Sequence, residues 1–133
     1  MSKHPTGPVQ ILIVEDNPSL ANLYEFKFAH EGFEVAVANN GAAGLALAEE
    51  LHPKLILLDL RMPIMSGDEM LEKLRAEDWG GDIRVIILTN ISKDEAPGNL
   101  RFLGVDRYIV KAHHTPAQVV DIVRDILALP QAS

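Results

Sequence analysis

Short apolar runs alternate along this chain with longer stretches in which apolar residues return at helical spacing. Residues 9–14 are apolar and rich in β-branched side chains, Gln10 aside, and predict a buried strand. Glu15-Asp16-Asn17-Pro18 follows, where Asn17 as N-cap and Pro18 at the first helical position predict a helix start. Leu20, Leu23, Tyr24, Phe26 and Phe28 recur along that helix, and Glu31-Gly32 ends it, with Gly32 suited to a left-handed cap. Residues 33–38 predict a second strand and Asn39-Asn40-Gly41 a turn. An alanine-rich helix over 42–51 follows, expected to turn Leu45, Ala48 and Leu51 to the sheet before His52-Pro53 stops it.

The run Lys54-Leu55-Ile56-Leu57-Leu58-Asp59 is the chain's centre: continuous apolar residues, as in a strand buried on both faces, ending abruptly in a carboxylate. A helix over 67–76 is predicted next, with Met70, Leu71 and Leu74 on one face and Asp68 and Glu69 at its positive end. Trp79-Gly80-Gly81 reads as a turn, with Trp79 covering a loop or helix end, and residues 83–88 as a strand ending in Thr89. Ser92 and Glu95 have capping-box spacing, but Pro97-Gly98 opposes a helix interior. A short, late-starting or irregular helix is therefore expected through Leu103, closed by Gly104. Residues 107–110 predict a fifth strand ending in Lys111. Thr115-Pro116 then opens a final helix carrying Val119, Val120, Val123, Ile126 and Leu127, which Pro130 ends.

Strand and helix thus alternate five times, which predicts a parallel sheet with helices on both faces and right-handed crossovers. The first strand–helix turn carries no glycine fingerprint, which disfavours dinucleotide and Walker-type phosphate loops. The expected organisation is a disordered leader over 1–8, one domain over 9–129 and a tail over 130–133.

Composition narrows the chemistry. The net charge of −7 argues against direct binding of nucleic acid, and the absence of cysteine excludes disulfides and thiolate chemistry. No apolar run reaches membrane-span length and no signal-peptide core follows Met1, so a soluble cytoplasmic domain is expected.

The polar residues at the strand ends carry the functional reading. Glu15 and Asp16, Asp59, Thr89 and Lys111 follow four different strands, and a parallel sheet brings such ends to one edge. Three carboxylates together repel one another unless a cation joins them, and a hard divalent ion, Mg2+, suits oxygen ligands. Thr89 offers a hydroxyl and Lys111 a compact positive charge to an anionic group carried on Asp59, the arrangement phosphoryl transfer requires. Taken singly, Asp59 is an ordinary loop carboxylate, Glu15-Asp16 first-turn acids, Thr89 a β-former and Lys111 a surface charge; the conjunction reverses that reading. Tyr108 reads equally as a half-buried strand aromatic. His113-His114 are adjacent and form no zinc pair, and Met62 and Met65 read as loop packing.

Glu15-Asp16, Asp59-Leu60-Arg61-Met62-Pro63 with Gly67, Thr89, and Tyr108-Ile109-Val110-Lys111 together resemble a response regulator receiver domain of the CheY-like fold. The resemblance implies a flavodoxin-like (βα)5 doubly wound sheet in the order 2-1-3-4-5. It implies that Asp59 accepts a phosphoryl group from a sensor histidine kinase or histidine phosphotransfer protein. Mg2+ would sit on Asp16 and Asp59, with Glu15 acting through water and the backbone carbonyl of Arg61 completing the protein ligands. Thr89 and Lys111 would contact phosphoryl oxygens, and Tyr108 would be the switch aromatic that moves with Thr89. Output would run through the fourth helix, fifth strand and fifth helix to a downstream protein, the chain being a monomer or a weak homodimer through that face. The implied protein is a switch with at most slow self-dephosphorylation, not a turnover enzyme.

Three positions depart from the family pattern: Ala112 follows Lys111 where proline is usual, Asn90 follows Thr89 where a small residue is common, and Pro97-Gly98 interrupts the fourth helix. Three rivals remain. One is a receiver excised from a larger hybrid kinase or regulator. Another is an aspartate-nucleophile phosphatase of the haloacid-dehalogenase type, against which Arg61 stands where a second aspartate is usual. The third is a degenerate receiver that binds without being phosphorylated.

Overall fold

The computed structural model describes residues 10–129. The predicted leader over 1–8, Val9 and the tail that begins at Pro130 lie outside the described residues. Five strands, β1 (Gln10–Val14), β2 (Glu34–Ala38), β3 (Leu55–Leu58), β4 (Arg84–Thr89) and β5 (Arg107–Val110), form one parallel sheet in the order β2-β1-β3-β4-β5. The strand order the resemblance implies is therefore the one found. Four α-helices cover the sheet: α1 (Pro18–His30), α2 (Gly41–Leu51), α3 (Gly67–Ala76) and α4 (Pro116–Ile126).

Burial follows the pleat. On β1 and β3, which are buried along their length, alternate residues feed two cores. Leu12, Val14, Ile56 and Leu58 pack with Met70, Leu71 and Leu74 of α3; Ile11, Ile13, Leu55 and Leu57 pack with Tyr24 and Phe28 of α1 and Val119, Val120 and Val123 of α4. The caps form where the sequence predicts them. Asn17 accepts from the Leu20 amide, and Thr115 and Gln118 close a reciprocal capping box.

Three expectations need correction. Leu23 and Phe26 of α1 are exposed, because the buried stripe runs Ala21-Tyr24-Phe28 and leaves them on the outer side. In α2, Gly41, Gly44 and Ala48 face the core, with Leu45 and Leu51 only half-buried; a side chain at Gly44 would press on Val14 and Met70 at 3.0 Å. The short, irregular helix expected between β4 and β5 is found, and it is not an α-helix. Two 3-10 turns, Lys93–Glu95 and Gly98–Phe102, form it, because Pro97 cannot donate to a helical ladder there. Ser92 lies at the N-cap of the first turn but makes no side-chain cap bond. Gly104 does close the segment, in the left-handed region at φ +69°.

Other details agree. Met62 and Met65 pack on the core, and Trp79 stacks on His52, whose left-handed backbone (φ 47°) terminates α2. The Lys111–Ala112 bond is trans, as are all peptide bonds among the described residues, and Lys111–His113 turns as a single 3-10 unit. No helix among the described residues is long and apolar enough to cross a membrane.

Candidate functional site: an acidic pocket at the carboxyl edge of the sheet

Register assembles the pocket. Val14 of β1 pairs with Leu58 of β3 and with Ala38 of β2, so Glu15 and Asp59 leave the sheet side by side. Their amides still donate into it, Glu15 N to Ala38 O at 2.9 Å and Asp59 N to Val14 O at 3.1 Å. Across the sheet Thr89 pairs with Val110, which places Lys111 one residue beyond the β4 terminus.

Lys111 Nζ bridges two carboxylates, donating to Glu15 Oε1 at 2.5 Å and to Asp59 Oδ2 at 3.0 Å. The other oxygens are held by backbone: Asn17 N donates to Glu15 Oε2 at 3.1 Å, and Leu60 N to Asp59 Oδ1 at 2.7 Å. Glu15 and Asp59 are buried, at 4% and 7% exposure, whereas Asp16 is open to solvent. Burial alone would lower the Lys111 proton affinity. Its hydrogen bonds and charge interactions with Glu15 and Asp59 outweigh that and raise its pKa above the usual lysine value.

Carboxylate oxygens of Glu15, Asp16 and Asp59 lie within 4.8 Å of one another, the one such group of potential metal ligands among the described residues. Three carboxylates share one ammonium, and the exposed Asp16 has no bonded partner, so the donor set is all oxygen and under-neutralised. That set fits a hard divalent cation.

These groups line a cavity of about 420 Å³ together with Asn17, Leu20, Arg61, Thr89, Asn90, Ile91 and Glu95. The loop after β3 is braced from below. A Cβ on Gly67 would fall 2.0 Å from the Asp59 carbonyl oxygen, so only glycine lets α3 start there, with its amide on Leu60 O at 2.9 Å. Gly41 N likewise holds Met65 O at 3.0 Å. Between them Ile64 is 80% exposed and adopts a left-handed backbone, φ 71°, which is strained for a β-branched residue.

Glu15, Asp16, Asp59, Arg61, Thr89 and Lys111 thus meet in one cavity. Thr89 is buried, its Oγ1 accepting from Ile91 N at 3.4 Å. Tyr108 is not in the lining. It sits behind the wall, its hydroxyl donating to Ile91 O at 2.7 Å, and its ring faces a second groove of about 570 Å³ lined by Lys93, Ala96, Pro97, Leu100, Arg101 and Arg107 among others. Burial, then the charges of Asp59 and Glu95, raise the Tyr108 pKa above 10. Sequence reading missed Glu95, whose spacing from Ser92 marked it as a capping partner, and missed Leu20 and Ile91, which carry no chemical signal.

The response regulator receiver domain family model matches residues 11–124. The chemotaxis protein CheY of Halobacterium salinarum is 33% identical over 119 residues, covering 89% of this chain and 96% of that protein. A receiver domain protein of Methanospirillum hungatei superposes with a TM-score of 0.82 at 28% identity, covering 92% of this chain and 95% of the other. The receiver domain of the sensor histidine kinase PA1611 from Pseudomonas aeruginosa, solved with magnesium coordinated in its active-site cleft, gives 0.80 at 25% identity, covering 92% and 99%. The chain spans about half the length of other curated relatives it matches, 50% and 53% for two of them. With its acidic pocket, its strand order and these relatives agreeing, the chain belongs to the CheY-like response regulator receiver domain family.

Proposed function

We propose that residues 9–129 act as one receiver unit, a phosphoacceptor switch in which Asp59 takes a phosphoryl group from the phosphohistidine of a sensor kinase or phosphotransfer protein. The observation that carries this reading is the convergence of Glu15, Asp16, Asp59 and Lys111 from three separate strand ends. Asp16 and Asp59 would hold Mg2+ directly, with Glu15 through water and the Arg61 carbonyl as a further ligand. When bound, the cation neutralises negative charge on the transferring phosphoryl group and on the carboxylates.

The chain's own groups do the rest. The Leu60 amide fixes one Asp59 oxygen and leaves the other, now facing Lys111, to attack phosphorus. Lys111 turns from bridging Glu15 and Asp59 to pairing with the new oxygens, and the buried Thr89 hydroxyl donates to one of them. Drawing Thr89 inward moves the 89–92 backbone, whose carbonyls hold the Tyr108 hydroxyl at 2.7 Å (Ile91) and 3.4 Å (Ser92). Tyr108 lines the second groove, so the change reaches the face made by the 3-10 segment, β5 and α4, where a downstream protein reads it.

This is a switch, not a turnover enzyme; the position two residues after Asp59 holds Arg61, not a second acid. Incubation with acetyl phosphate and Mg2+ followed by intact-mass measurement tests it. One stoichiometric adduct, absent in Asp59→Asn, is expected; steady release of phosphate with no adduct would replace the switch by an enzyme, and neither would leave a degenerate binder.

A further inference from the structure

Of the six asparagines in the chain, only Asn40 is followed by glycine. Asparagine is thermolabile, and the Asn-Gly dipeptide is the most open to spontaneous deamidation. The glycine amide nitrogen, with no side chain to hinder it, closes a five-membered ring on the asparagine side-chain carbonyl.

The fold holds all the groups this reaction needs. Gly41 N donates to Met65 O at 3.0 Å, and Gly41 is packed so closely that a Cβ would run into that carbonyl. Asn40 Oδ1 accepts from Ala43 N at 2.8 Å as the N-cap of α2, and Asn40 Nδ2 donates to Asn39 Oδ1 at 3.2 Å. Nucleophile, acceptor carbonyl and leaving nitrogen are thus each engaged elsewhere. The nucleophile is tied to the loop after β3, and that loop carries its own strain: Ile64, beside Met65, is exposed with φ 71°. Opening the loop relaxes Ile64 and frees Gly41 N together.

We propose that Asn40 is a deamidation site gated by the loop over residues 63–66. When the loop lifts, Gly41 N gives its proton to hydroxide and attacks Asn40 Cγ. The new C–N bond forms as the Cγ–Nδ2 bond breaks; Nδ2 keeps the bonding pair, takes a proton from water and leaves as ammonia. Water then opens the ring. Attack at Cγ leaves aspartate, and attack at the backbone carbonyl leaves isoaspartate, whose main chain is longer by a methylene. Aspartate caps α2 as well as asparagine does and adds a charge that the helix dipole favours. Isoaspartate displaces Gly41 N from Met65 O and so unties the loop that leads from Asp59 to α3. The inference does not depend on the phosphoacceptor reading.

The test incubates the folded chain, and the same chain in urea, at mildly alkaline pH. Aspartate and isoaspartate at residue 40 are followed by chromatographic peptide mapping with mass detection. In urea, product should form at residue 40 ahead of the other asparagines. In the folded chain it should form at least about tenfold more slowly, in proportion to the time the loop spends open. Ile64→Asn, which removes the strain that lifts the loop, should slow the folded reaction about fivefold and leave the urea rate unchanged. Arg75→Met, which weakens the far edge of the sheet, should leave the folded rate unchanged. Equal rates in the folded and urea-treated chains, no product from the folded chain, or an Ile64→Asn rate at or above that of wild type would overturn the proposal. Acceleration in Arg75→Met would also overturn it, by assigning the gate to global unfolding.

Discussion

The two ends of the sheet hold charge in opposite ways. At the carboxyl edge three carboxylates crowd one ammonium, and Asp16 is left without a partner. At the amino edge the guanidinium of Arg75 meets five neutral carbonyls. Its Nε donates to Leu103 O at 2.7 Å, one terminal nitrogen to Gly80 O at 2.7 Å, Ile83 O at 2.9 Å and Gly81 O at 3.3 Å, and the other to Gly104 O at 2.9 Å. The planar fork of arginine suits that geometry, tying the end of α3 to the loops that enter β4 and β5. At the amino edge every guanidinium nitrogen of Arg75 is already bonded. The acidic edge is under-neutralised and can still gain a cation or a phosphoryl group. Complete compensation makes a joint; incomplete compensation makes a site.

The amino edge offers the largest test. Arg75→Met should lose about 2 kcal/mol of stability, because half-buried carbonyls lose charge-assisted donors, and Arg75→Lys should recover less than half of it. Urea unfolding checks both, and a Met variant within about 0.5 kcal/mol of wild type would mean that the loops are held by other contacts. At the acidic edge the expected signature is reversed. Asp16→Asn should leave folding stability nearly unchanged, since Asp16 is exposed and unpaired, yet weaken Mg2+ binding about tenfold, equivalent to about 1.4 kcal/mol. Unchanged affinity in a calorimetric titration would remove Asp16 from the ligand set.

Two smaller effects sharpen the contrast. The acidic edge also stores backbone strain at Ile64, whose φ is 71°, so Ile64→Asn should stabilise the protein by about 1 kcal/mol; a loss in thermal or urea unfolding would show that the Ile64 side chain is held by packing. The smallest effect is on pH. Lys111 has a raised pKa in the folded state, so above 10.5 the native protein keeps a proton that the unfolded chain has lost. Stability is therefore fully present below that pH and falls as pH rises through the folded value. Tyr24, raised mainly by burial, acts in the same direction from pH 10. Lys111→Met should flatten this alkaline limb without abolishing it, whereas an identical limb in the variant would mean that Lys111 gains no proton affinity on folding.

Much of this was legible in advance, for identifiable reasons. The bounds of α3 and β5 fall where the pattern put them, because Gly67 and the polar flank of residues 107–110 mark them locally. The pocket was legible because a parallel sheet sends every strand's polar terminus to one edge, so Asp59 and Lys111 could be joined without knowing their distance. The exposed Leu23 and Phe26 were not legible, since apolar spacing on α1 continues around the helix and only its packing partners select the face. Arg75 drew no attention in the sequence, as one basic residue in the last turn of α3; its carbonyl partners come from loops that lie near it only in the fold.

By itself, then, the amino-acid order determined the alternation of elements, the starts of the helices and the kind of chemistry at the strand ends, because these depend on neighbours within a few residues. The tertiary structure alone decided that Glu15 is buried under Lys111, that Glu95 enters the acidic cavity from a 3-10 turn, and that Arg75 closes the opposite edge. Those outcomes depend on distance and burial between segments far apart in the chain, where the energies of charge and hydrogen bonding are set by the surroundings and not by the residue type.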